Sequence, residues 1–115
     1  AALLGKAVAG DASALPADHA LRMATINAAR ALGLDEHIGS LVPGKAADLT
    51  AVHLDDIDTL PLFHPLSQLI YAGTRDKVTD VWVAGRRLLK DRTLTSVDVD
   101  EVRRKAGYWQ EKIAL

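Results

Sequence analysis

The feature that most constrains this chain is a change of hydrophobic period between residues 33 and 48. Upstream, "LPADHALRMATINAARALG" repeats its apolar residues at helical spacing, with Leu21, Ala24, Ala28 and Leu32 on one stripe. Downstream, "LVPGKAADLTAVHL" passes through a Pro-Gly turn and then alternates as a strand does, with Leu49, Ala51 and His53 on one face. A helical period that turns into a strand period within fifteen residues restricts the chain to a mixed α+β architecture.

Local punctuation supports those elements. Pro16 is expected at the first helical position and Gly33 just past the helix end, with Asp18 in the first turn where a carboxylate favours the positive dipole end. Pro43-Gly44 fits the central positions of a type II turn, in which glycine supplies the positive φ. Lys45 follows as a solvated turn residue. Asp48, between Ala47 and Leu49, is expected to be buried and to accept hydrogen bonds from turn N–H groups.

The remaining chain reads similarly. "DDIDTLP" is expected to be a solvated acidic loop. "HPLSQLIYAG" predicts a short helix over 65–73, and "KVTDVWVAGRRLLKD" predicts a hairpin turning at Ala84-Gly85. Asp98 with Glu101 suggests a capping box opening a helix over 98–115. In it Val99, Val102, Ala106, Trp109 and Ile113 form an apolar seam, while Arg103, Arg104, Lys105 and Lys112 lie off it. Trp82 and Trp109 fall in apolar patterns and are expected in the core. The opening "AALLGKAVAG" shows a helical apolar stripe with no capping residue ahead of it, so the expectation is a portion of a longer protein.

Composition excludes several classes. The 115 residues carry 14 basic and 15 acidic side chains, a net charge of -1, which argues against a nucleic-acid partner. No apolar run is long enough to cross a membrane as a helix. With no cysteine there is no disulfide, thiolate metal site or cysteine nucleophile. The expected location is cytoplasmic.

Chemistry-bearing motifs are sparse. His19, His37, His53 and His64 form no His-x-His pair, and His53 with Asp55 and Asp56 is too small a set for a catalytic zinc. No serine lies in G-x-S-x-G, and "GKAAD" lacks the phosphate-loop frame. The residues by themselves therefore assign no catalytic and no metal-binding position.

Two longer patterns go further. Residues 24–33 read A-T-x-N-A-A-x-A-L-G and residues 38–49 read I-G-S-L-x-P-G-K-x-A-D-L. Together with "HPLSQLIYAG" and "VTDVWVAGRRLLKD", they resemble the C-terminal part of the amidohydrolase superfamily. Within it the chain looks most like the 5-methylthioadenosine/S-adenosylhomocysteine deaminases, with triazine chlorohydrolases and guanine deaminases behind them.

The resemblance implies a fold and a role. Residues 1–33 would be the last helices of a (β/α)₈ barrel. Residues 34–97 would be the C-terminal half of a composite β-sandwich, and 98–115 a terminal helix on its outside. Pro43, Gly44, Lys45, Asp48 and Gly85 would then be structural. The parent enzyme would hold a divalent metal, zinc by preference, whose bound water attacks a purine-like or triazine ring with loss of ammonia or chloride. By this likeness the metal ligands lie outside these residues, and the chain alone is expected to be an inactive hydrolase fragment. Its partners would be the N-terminal remainder of the same protein and, in a homo-oligomer, other copies. The alternative is a stand-alone assembly or dimerisation module. Two positions depart from the family pattern: Ala84 replaces the usual asparagine of the hairpin turn, leaving the turn type open, and Arg92 replaces a common glycine.

Overall fold

A computed structural model describes residues 1–114, so of the 98–115 helix Leu115 lies outside the described residues. Helix α1 (Ala2–Ala9) starts without a side-chain cap and ends at Gly10, where φ is 62°. Lys6 folds over that end, donating to the Ala12 and Ala14 carbonyls and lying 5.4 Å from the Tyr71 ring centre. The stripe foreseen on α1 faces outward: Leu3, Leu4 and Val8 are all largely exposed.

The continuous helix expected from Pro16 up to Gly33 just past its end is broken in two. Helix α2 (Ala17–Ala24) follows Pro16, which stands one position earlier than expected, as the N-cap with extended ψ. Helix α3 (Ile26–Ala31) follows Thr25, whose backbone leaves helical space at φ −122° and ψ −101°. The cause is local: the Thr25 hydroxyl donates to the Leu21 carbonyl at 2.7 Å, a back-bond that bends helices. Gly39 then crosses the break so closely that a Cβ there would lie 2.7 Å from the Ala29 Cβ. Gly33 closes α3 as foreseen. Its N–H reaches the Arg30 carbonyl and the Leu34 N–H reaches that of Ala29, the paired bonds of a Schellman motif.

A four-stranded antiparallel sheet carries the centre, in the order β1 (Leu49–Val52), β2 (Val78–Val83), β3 (Arg86–Lys90) and β4 (Thr93–Leu94). Leu49 faces Trp82, Ala51 faces Asp80, and Trp82 faces Arg87 across the strands. The outer edge of β1 has no neighbour among the described residues. Between β1 and β2, the helix expected over 65–73 begins as α4 (Pro65–Ser67) but widens into a π-turn, Gln68–Ala72. Gly73 follows it with extended backbone, ψ 134°, at a point where a Cβ would lie 2.5 Å from the Leu69 carbonyl oxygen. Strand β4 was not foreseen. It arises because Asp91 and Arg92 both take positive φ, 46° and 65°, and turn the chain back without a glycine.

Helix α5 (Val99–Ile113) is capped by Asp98, whose carboxylate accepts from the N–H groups of Asp100 and Glu101 at 3.0 Å. The capping box is half made, since the Glu101 carboxylate pairs forward with Lys105 at 2.7 Å. None of the residues of α5 is buried, and Trp109, expected in the core, is 52% exposed.

Burial is thin throughout. Among the described residues the buried apolar ones are Ala2, Ala17 and Ala29, and no side chain is fully enclosed. The accessible surface is 8805 Å², where a compact protein of this mass shows about 6,100 Å². The radius of gyration is 18.4 Å, against roughly 13 Å for a compact chain of this length.

Candidate functional site

Three polar knots hold the sheet and its approaches together. The first gathers the sequence-assigned positions. Val42 to Lys45 forms the expected type II turn, with Gly44 at φ 93° and the Lys45 N–H bonded to the Val42 carbonyl. Lys45 is not solvated: its half-buried ammonium turns back onto the carbonyls of Asp35 and Ile38. Asp48 is exposed rather than buried, yet its Oδ1 accepts the Ala84 N–H at 2.6 Å. The Gly85 N–H reaches the Ala47 carbonyl at 3.0 Å beside it. Residues 47–48 thus clasp the tip of the β2–β3 hairpin, Asp48 on the Ala84 N–H and Ala47 on that of Gly85, while Pro43 and Gly44 shape the approach. Positive φ at both Ala84 (48°) and Gly85 (77°) matches a type I′ turn, which answers the question left by the alanine.

The second knot escaped sequence reasoning. Lys77 sits just ahead of β2 with its side chain only 9% exposed, and its Nζ lies 2.7 Å from both Asp56 Oδ2 and Asp58 Oδ1. The expected solvated loop is therefore a clamp. Its turn is closed by Thr59, which exchanges hydrogen bonds with the Asp56 backbone, and the His53 Nε2 stands 3.5 Å from Asp56. The hydrogen bond from Lys77 holds the Asp56 carboxyl below its usual range. Reciprocally, the Asp56 and then Asp58 hydrogen bonds raise Lys77 above its usual value. A D-x-D pair twenty residues before a pre-strand lysine gives little warning in sequence.

The third knot is Asp80, buried in mid-strand. Its Oδ1 accepts from the Arg87 guanidinium and from the Asp91 N–H at 3.1 Å, while Arg87 also lies over the Trp82 ring at 5.2 Å. Chiefly the Arg87 hydrogen bond lowers the Asp80 carboxyl. This one had a signal: a carboxylate alternating with Trp82 on the inward face of a strand needs a cation across the hairpin.

Each of the three knots is closed within the chain. Every carboxylate in them is engaged by a cation or an N–H. Among the described residues no group of three or more His, Asp or Glu could hold a metal ion. His19 lines a hollow of 390 Å³ with Arg22 and Asn27, and His64 lines another of 310 Å³ with Tyr71. A third hollow, of 690 Å³, is an apolar groove bounded by Leu21, Leu41, Val52 and Ile70, with Asp48 among its walls. The first two hollows hold one imidazole each and the groove none. Among the described residues no helix is long and apolar enough to cross a membrane.

This arrangement of helices, turn and sheet matches known proteins. The Amidohydrolase family model matches residues 1–88. A 5-methylthioadenosine/S-adenosylhomocysteine deaminase of Teredinibacter turnerae is 49% identical over 98% of this chain, and the deaminase of that name from Saccharophagus degradans is 44% identical over 98%. The chain covers 26% and 25% of those relatives, so it spans about a quarter of their length. Among solved structures, an adenosine deaminase from Xanthomonas campestris with bound zinc superimposes with a TM-score of 0.90 at 50% identity. It covers 97% of this chain and is itself 26% covered. An atrazine chlorohydrolase from Arthrobacter aurescens complexed with zinc matches with a TM-score of 0.74 at 30% identity over 83% of this chain and 21% of its own. With three quarters of its residues under the family model, and its helices and sheet superimposing on these enzymes, the chain belongs to the amidohydrolase family.

Proposed function

We propose that this chain is the C-terminal structural portion of a metal-dependent hydrolase. The parent reaction would be hydrolytic deamination of an adenine-type ring, with triazine dechlorination as the variant. The observation that carries the reading is the pairing of two facts. The chain matches deaminases along nearly its whole length, yet it spans a quarter of theirs. Zinc accompanies the solved neighbours, but the described residues offer no ligand set that fits such an ion, so no step of the reaction is assigned to them.

In this reading, residues 1–33 complete a barrel, 34–97 complete a composite β-sandwich, and the polypeptide upstream of Ala1 supplies the metal site. The uncovered surface supports it. The excess over a compact protein is about 2,700 Å², several times the roughly 800 Å² that one partner buries in a standard interface. The unpaired edge of β1 is likewise open to a further strand. The exposed seam of α5 favours a second reading, a stand-alone assembly module, but a single helix seam accounts for only a small part of that excess.

The encoding frame decides between them. An in-frame His-x-His within the few hundred codons before Ala1 is expected; a start codon next to Ala1 would instead favour the assembly module. Metal analysis adds a direct check. The intact protein should carry stoichiometric zinc and the purified 115-residue chain none, and a tightly held ion in the chain alone would overturn the proposal.

A further inference from the structure

We draw no further inference here: the strongest candidate, the apolar groove walled by Leu21 of α2, Val52 of β1 and Ile70, carries nothing, because nothing in the structure shows what covers it beyond the upstream polypeptide already proposed to complete the sheet.

Discussion

Between β1 and β4 the charged side chains close on one another inside the chain, whereas along α1 and α5 the large apolar side chains stand mostly exposed. Lys77 has both its carboxylates, Asp80 has Arg87 and the Asp91 N–H, and Asp48 has the hairpin tip. Leu4, Val8 and Ile113 are largely exposed, and Trp109, half-exposed, touches Tyr108 and Lys112 of its own helix. The difference shows which interactions must be local. A charge taken out of water needs its partner in place with hydrogen-bond geometry, so partners lie on neighbouring strands and loops. Apolar burial is non-directional and can be completed by any surface of suitable shape. This sheet is thus organised by its own polar ties, while its helices wait on another surface.

The largest effect should come from cutting the tie with the least exposure. In the intact protein, Lys77→Ala leaves Asp56 and Asp58 facing each other without a cation, and the 55–59 turn should detach. The His53 amide, which now donates to the Lys77 carbonyl at 2.8 Å, and the Thr59 amide should lose their protection in hydrogen exchange. A combined Lys77→Met, Asp56→Asn, Asp58→Asn protein should recover much of it, because no uncompensated charge remains. If the single variant exchanges like the parent, the sheet is not held by this tie. Acid should act in the same direction. Asp56 and Asp80 titrate below their usual 3.8 in the folded state, so the stability they contribute is complete above that value and is lost as the pH falls through their lowered values. Lys77 is raised above 10.5, so its contribution is complete below that and is lost only on strong alkalinisation. The amides of the sheet should therefore keep constant stability between about pH 5 and 9 and weaken below pH 4 before those of α3 do.

Next in size is the helical side of the comparison. Gly39→Ala forces a methyl group against the Ala29 Cβ at a residue whose φ is 86°, and both strain and overpacking follow. A loss of roughly 3 kcal/mol is expected in urea unfolding of the intact protein. A cost below about 1 kcal/mol would mean that the α2–α3 break yields more easily than the sheet does. Smaller again is Asp98→Ala, which removes an acceptor from two N–H groups at the start of α5. It should cost about 1 kcal/mol of helix stability and reduce helical circular dichroism, with no effect on the exchange of β2.

The sequence disclosed the elements that a proline, a glycine, a strand alternation or a capping carboxylate marks within a short window. The hairpin at 78–90, the Pro43-Gly44 turn, the Gly33 helix end and the Asp98 cap all depend on residues within four positions of each other, and all are present. The Thr25 break was missed because period alone cannot register a hydroxyl that bonds back to Leu21. Strand β4 was missed because its turn uses Asp91 and Arg92 where glycine would be the signal. The Lys77 clamp was missed for a different reason: its halves lie 19 and 21 residues apart, and nothing in either half requires the other until the chain folds. The apolar stripes of α1 and α5 were legible as stripes, and only their partners were not.

The smallest expected effect concerns the tip where the sheet departs from the family pattern. Ala84 holds φ 48° without the side-chain amide or the freedom of glycine that usually makes such a conformation inexpensive. Its place is kept by Asp48 on its N–H and by Ala47 on that of Gly85. Ala84→Asn should therefore stabilise the intact protein by about 0.5 kcal/mol in urea unfolding, since asparagine tolerates the left-handed region. Ala84→Gly should gain less, because glycine also adds freedom to the unfolded chain. In an Asp48→Ala background the clasp is gone, and the turn must be held by its own residues. The gain from Ala84→Asn should then grow. If it instead stays the same, the clasp and the turn are independent, and the sheet owes less to its internal polar ties than the contrast with α5 implies.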